Sequence, residues 1–167
     1  MSFHQIQVLG GESFATAETH ILFKTVLGPC VSACIFDPVL KIGGMNHFLL
    51  PVGGDRHTSG RDRFADVAMQ TLLDDMISLG GNPWRMQAKL FGGKSALLHN
   101  TDIGAENARF ARRFLLENGV RIIENDVGGD IARWVTFHPT TGETTLKRQM
   151  FPLQADNDAT QALTMRR

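Results

Sequence analysis

The sequence predicts an α+β sandwich in which two principal helices cover a mainly antiparallel strand system. Three observations carry that prediction. Apolar, β-branched runs outnumber helical stretches, short Gly/Pro connections join them as consecutive hairpins, and the strictly alternating βα units of a doubly wound sheet are missing. A length of 167 residues suits one domain with room for a substantial core.

Residues 5–9 read as a short strand that Gly10-Gly11 breaks. Residues 20–27 read as an apolar strand entering a bend at Gly28-Pro29. Residues 30–36 (Cys-Val-Ser-Ala-Cys-Ile-Phe) are a third strand, Asp37-Pro38 begins a turn, and Lys41-Ile42-Gly43-Gly44 leads into the apolar run 45–50, which makes a hairpin. Residues 51–60 form a polar, Gly-rich loop suited to the rim of a site. The clearest helix spans residues 61–79, with Phe64, Val67, Ala68, Thr71, Leu72, Met76 and Leu79 as its expected buried stripe and Gly80-Gly81-Asn82-Pro83 as its stop. Residues 85–91 alternate and read as a strand ending at Gly92-Gly93. A second helix starts near Thr101 or Asp102, either of which can cap it. It turns Ile103, Phe110, Phe114 and Leu115 to the core and ends at Gly119. Strands at 120–125, 132–138 and 144–151 follow. Residues 154–167 are polar and aperiodic, an expected frayed tail.

Composition removes several function classes. Acidic and basic residues balance at seventeen each, so no global basic field points to nucleic acid. Two cysteines do not make a disulfide framework and suit a reducing compartment. The N-terminus lacks a secretory leader pattern, and no apolar run is long enough to span a bilayer. The expectation is a cytoplasmic protein without membrane insertion. The absence of Tyr excludes a Tyr general acid. Gly92-Gly93-Lys94-Ser95 lacks the first glycine of a phosphate loop at the required spacing, and no cofactor is implied. Cys30 and Cys34 are too far apart along a strand, roughly 13 Å, for a disulfide. His57, His99 and His138 form no ligand pattern, so no metal site is expected.

Chemistry concentrates at Cys30 and His47. A cysteine just after a Gly-Pro bend, with an imidazole shortly downstream, is the minimal kit for thiolate catalysis: His takes the thiol proton and sulfur attacks a carbonyl carbon. A hairpin register pairing positions whose numbers sum to 77 would set Cys30 opposite His47, whereas a one-residue slip would separate their faces. The thiolate of Cys30 is expected to form below the free-cysteine pKa of roughly 8.5. Cys34, in mid-strand, reads as a small buried hydrophobe.

The chain resembles the chemoreceptor glutamine deamidase family of chemotaxis, CheD, from about residue 6 to residue 150. The resemblance is carried by Thr25-Val26-Leu27-Gly28-Pro29-Cys30-Val31-Ser32-Ala33-Cys34 and Ile42-Gly43-Gly44-Met45-Asn46-His47-Phe48-Leu49-Leu50-Pro51. Arg63-Phe64-Ala65-Asp66-Val67-Ala68-Met69, Ala88-Lys89-Leu90-Phe91-Gly92-Gly93 and Ile103-Gly104-Ala105-Glu106-Asn107 add to it. Glu124-Asn125-Asp126-Val127-Gly128-Gly129 and Thr140-Thr141-Gly142-Glu143 complete it. It implies a layered α/β/β sandwich and a single deamidase-like domain at residues 1–153. The activity it implies is that of a cysteine amidohydrolase, a protein-glutamine glutaminase that converts glutamines in the cytoplasmic region of methyl-accepting chemoreceptors to glutamate. Receptor methylesterase activity and a CheC-like phosphatase partner are implied as well. Cys30 carries over as nucleophile and His47 as base.

Two departures matter. The family's third catalytic residue is a Thr six positions before the Cys, where this chain has Lys24; Thr25 lies five before. Adjacent strand residues face opposite ways. Thr25 is favoured, because an imidazole N–H needs an acceptor and an ammonium offers only donors; Lys24 could instead tune the thiol. Pro29 replaces the family's Ser and has no N–H to donate. Two other readings stand beside the deamidase: a catalytically weak module that docks a chemoreceptor or CheC-like partner, and a small-molecule thiol amidase.

Overall fold

The structure is a computed structural model that describes residues 2–49 and 62–150. The expected loop at 51–60 with His57, the side chain of Phe64 and the polar tail lie outside the described residues. The elements run β1 (His4–Gln7), β2 (Ser13–Thr16), β3 (Ile21–Leu27), β4 (Val31–Asp37), β5 (Ile42–Asn46), α1 (Asp62–Ser78), β6 (Gln87–Gly92), β7 (Leu97–Leu98), β8 (Thr101–Asp102), α2 (Ile103–Glu117), β9 (Arg121–Val127), β10 (Ile131–Phe137) and β11 (Thr144–Met150). β2, β7 and β8 are too short for an alternation to announce them.

Two sheets stack. One is four-stranded, in the order β1-β3-β10-β11, and the other five-stranded, β2-β5-β4-β6-β9; β7 and β8 form a separate hairpin. Pairing is antiparallel except at β1–β3 and β6–β9. The helices pack on one face of the five-stranded sheet, where Val31, Ala33 and Ile35 meet Leu72, Met76, Phe110 and Phe114. Its other face meets the four-stranded sheet, where Cys34, Phe36, Met45 and Phe91 interdigitate with Phe23, Leu27, Val135 and Phe137. The result is the layered α/β/β sandwich. Every residue of β4 is buried, because that strand has a layer on both sides.

The hairpin register differs from the expected one. Cys34 pairs with Met45, Ile35 with Gly44 and Asp37 with Ile42, so paired numbers sum to 79 and the connection has four residues, 38–41. Asp37 enforces the longer turn. Its carboxylate accepts the N–H groups of Val39 (3.0 Å) and Leu40 (3.2 Å), and Lys41 takes a left-handed φ of 54°. β5 therefore begins at Ile42, not Met45. Gly43 lies inside the strand because the Pro139 backbone crosses it so closely that a Cβ would strike the Pro139 carbonyl.

The α1 stripe is also rotated from expectation. Ala65, Met69, Leu72, Leu73 and Met76 are buried, whereas Val67 and Leu79 are 58% and 41% exposed. Apolar residues occur on more than one side of this helix, and the sheet selects which side is covered. Asn46 helps fix the choice, donating to the Ala68 carbonyl (3.2 Å) from the adjacent strand. In α2, Asp102 is the cap, accepting from Ala105 N, and Phe110, Phe114 and Leu115 are buried as expected.

Candidate active site

β3 alternates, with Phe23, Thr25 and Leu27 turned inward to the layer between the sheets and Val26 outward. Thr25 is thereby buried, and its hydroxyl donates to the Val8 carbonyl at 2.7 Å. The same oxygen lies 2.8 Å from Nδ1 of His47, and Nδ1 is 3.2 Å from the Val8 carbonyl. These contacts fix the tautomer. The Thr25 hydrogen goes to Val8, so its oxygen faces Nδ1 as an acceptor, and the carbonyl can only accept. Nδ1 must carry the proton, which leaves Nε2 with its lone pair. Lys24 points the other way, donating from Nζ to Gln5 Oε1 at 2.9 Å. The main chain of His47 is held from both ends, its N–H donating to the Glu12 carbonyl (3.0 Å) and its carbonyl accepting from Gly11 N (2.8 Å).

Cys30 is half-buried and packs against the same inter-sheet cluster as Cys34 and Met45. Val31 bridges to Phe48, which carries the observed register through to the end of the hairpin. His47 therefore falls opposite Ser32, diagonal to Cys30. The difference from the expected register is two residues, and a two-residue shift preserves the face. Cys30, His47 and Thr25 thus all face the inter-sheet layer, two from one sheet and one from the other.

The bend before β4 is pinned by backbone. The carbonyls of Gly28 and Cys30 accept from Lys94 N (2.9 Å) and Gly93 N (2.8 Å). The Pro29 carbonyl accepts from Nδ2 of the buried Asn107 at 2.8 Å. Gly92 has φ +107°, and a Cβ there would strike the Cys30 carbonyl. None of this support was assigned a role from sequence. Asn107 offered a signal, being a polar residue on the same face of α2 as Phe110 and Phe114. In the sequence Gly92-Gly93 marks the end of a strand and one block of the resemblance, with no sign of its contact to Cys30.

Burial dominates the electrostatics. It pushes the Cys30 thiol up, and the residue's own backbone N–H offsets part of that rise. This is opposite to the expected direction: partial burial disfavours the thiolate, and among the described residues no cation offsets it. Burial also lowers His47, with the Val8 carbonyl and the charge of Glu12 pulling back up. Both shifts favour the uncharged forms, thiol and imidazole. Cys34, fully buried, is pushed up to about 12. Among the described residues no group of three or more His, Cys, Asp or Glu side chains is placed to hold a metal.

A family model described as "CheD chemotactic sensory transduction" matches residues 49–148. The chain belongs to the CheD family. Curated CheD relatives named "Probable chemoreceptor glutamine deamidase CheD" are similar over most of their length. The Zymomonas mobilis protein is 42% identical over 143 residues, 84% of this chain and 78% of that one. The Caulobacter vibrioides protein is 43% identical over 83% of this chain and 74% of its own. The Sinorhizobium medicae protein is 39% identical over 83% and 76%. Among solved structures, YlmD from Geobacillus stearothermophilus is similar with a TM-score of 0.46 at 14% identity, over 70% of this chain and 50% of that chain. No helix among the described residues is long and apolar enough to cross a membrane.

Proposed function

We propose that this CheD protein deamidates glutamine side chains in the cytoplasmic region of a chemoreceptor, with Cys30 as nucleophile, His47 as base and Thr25 as the residue that orients the base. The observation that carries this reading is the Thr25–His47 contact of 2.8 Å, which presents a lone pair at Nε2 in the layer that Cys30 faces. The names of the relatives supply the substrate class.

Both shifts favour the uncharged partners, so in this reading proton transfer accompanies attack. His47 Nε2 takes the Cys30 proton as sulfur bonds to the side-chain carbonyl carbon. The imidazolium then protonates the departing nitrogen, the C–N bond breaks, and ammonia leaves a thioester. Water, deprotonated by His47, hydrolyses the thioester to glutamate and restores the thiol. Thr25 and the Val8 carbonyl stabilise the imidazolium by accepting its Nδ1–H. The oxyanion needs a donor, and the N–H of Cys30 is suited to that: among the described residues it donates to no carbonyl. The same attack on a receptor methyl ester would release methanol. A CheC-like phosphatase is a further partner on this reading.

The test is mass spectrometry of a chemoreceptor cytoplasmic fragment after incubation with the protein. Gln-to-Glu conversion at discrete sites, absent with Cys30→Ala, is expected. An unchanged receptor alongside ammonia release from free glutamine would replace this reading with a small-molecule amidase. An unchanged receptor that binds tightly would replace it with a docking module.

A further inference from the structure

Arg133 is a buried cation, 3% exposed, on β10 directly beside Leu27, with which it pairs. Its guanidinium makes four hydrogen bonds and an ion pair. Nε donates to Asp126 Oδ1 at 2.9 Å, Nη1 to the carbonyls of Gly92 (3.1 Å) and Ile131 (2.8 Å), and Nη2 to the carbonyl of Gly128 (2.9 Å); Nη2 also lies 2.9 Å from Asp126 Oδ1. The Gly92 carbonyl belongs to the peptide unit whose N–H, on Gly93, donates to the Cys30 carbonyl at 2.8 Å. A single rigid peptide plane therefore links the guanidinium to the main chain of Cys30. Its oxygen also accepts from Gly128 N at 3.0 Å, so both of its lone pairs are engaged.

We propose that Arg133 is a positioning residue for the reaction, setting the place of Cys30 through the Gly92–Gly93 peptide plane. The proposal rests on the reading of Cys30 as nucleophile. A cation at the oxygen end of an amide polarises it and strengthens the bond its N–H makes. The planar fork also fixes where that N–H points. Asp126 holds the guanidinium in turn and is itself shared with Arg148. The Gly92 position admits no side chain, so the plane can approach Cys30 as closely as it does. Misplacing a nucleophile by a fraction of an ångström is enough to slow attack, whereas substrate binding, made by other groups, is spared.

The experiment compares Arg133→Lys and Arg148→Ala with the native protein. Lysine keeps a charge for Asp126 but has three donors and no fork, so it cannot serve Gly92, Ile131, Gly128 and Asp126 together. Arg133→Lys is expected to lower kcat by roughly tenfold to a hundredfold with KM little changed. It should also speed hydrogen exchange at the Gly93 amide, while amides in the middle of β4 and β6 keep their protection. Arg148→Ala, which touches Asp126 but not Gly92, should leave kcat and Gly93 exchange unchanged. Native kcat in a folded Arg133→Lys protein would overturn the proposal, as would loss of Gly93 protection without loss of kcat, or a uniform loss of protection across the sheet that tracks the activity. If Arg133→Lys does not fold, replacing the Gly93 N–H by an ester oxygen deletes the bond to Cys30 and weakens the Gly92 carbonyl as an acceptor for Arg133; the same fall in kcat is expected, and native kcat in the ester protein would overturn the proposal. Gly93 exchange is read without any substrate, so a strut that is present can be told apart from a nucleophile wrongly assigned.

Discussion

The hydroxyl of Thr25 lies 2.8 Å from Nδ1 of His47 and spends its own hydrogen on the Val8 carbonyl. It acts as an acceptor toward the ring and makes Nε2 the basic nitrogen. Thr25→Val removes the hydroxyl at nearly constant volume and leaves the Val8 carbonyl as the partner of Nδ1 among the described residues. A fall in kcat of about tenfold is expected from the weakened orientation, with recovery in Thr25→Ser. Lys24→Ala should keep native kcat, since its ammonium is committed to Gln5 on the outer face. Steady-state kinetics of the three variants tests the assignment; a lost rate in Lys24→Ala with an active Thr25→Val would reverse it.

The two cysteines should separate cleanly. Cys30→Ala is expected to abolish deamidation. Cys34→Ala should retain it and cost about 1 kcal/mol of packing, read from a urea midpoint. Alkylation with iodoacetamide, mapped by mass spectrometry, should modify Cys30 in the folded protein and leave Cys34 untouched, because Cys34 is fully buried and its thiol is pushed up to about 12.

The pH dependence follows from the direction of two shifts. His47 works as a base only when neutral, and burial lowers it below its ordinary 6.5. The acidic limb of kcat is therefore expected below the usual histidine range, and activity should persist into mildly acidic buffer. Burial raises Cys30 above its ordinary value, so its alkylation rate should still be climbing where a free thiol has levelled off. Stability carries the same sign for His47. As pH falls through 6.5 the unfolded chain takes up the proton first, so the folded state loses stability down to the folded-state value. A pH–kcat profile with an acidic limb above the ordinary histidine range would contradict the burial argument.

Asp37 should be among the costliest single polar losses. Its buried carboxylate accepts from Val39 N, Leu40 N and Asn82 N and pairs with Arg85 at 2.8 Å. Burial pushes the carboxyl up, but these partners outweigh it and hold it below the ordinary range. Asp37→Ala is expected to destabilise by roughly 2–4 kcal/mol, measured by denaturant unfolding. It should also loosen the turn that sets the hairpin register.

Much of the site was legible because strand alternation is a strict rule. Given a strand at 30–36 and an apolar run after a turn, Cys30 and His47 fall on compatible faces whether paired numbers sum to 77 or 79; Thr25, on the other sheet, comes from the resemblance and from the need for an acceptor at the imidazole. The register itself was not legible. It depends on Asp37 drawing two turn N–H groups onto its side chain, a geometry that Asp37-Pro38 permits without requiring. The α1 stripe failed for a different reason. Apolar residues occur around much of the helix, so the period marks a helix without saying which side meets the sheet. The supports of the Cys30 bend come from β6, α2 and β10, distant in sequence, and only the folded chain brings Asn107 and Arg133 to them.

Cys30 and His47 belong to one hairpin, but Thr25 rides on the opposite sheet. The bond between Thr25 and His47 is therefore a gauge of how the two sheets sit on each other. Sliding one sheet past the other by little more than the length of that bond would leave the hairpin whole and strip the imidazole of its orienting partner. On this reading, competence for the reaction is a property of the closed sandwich and not of the hairpin that carries the thiol.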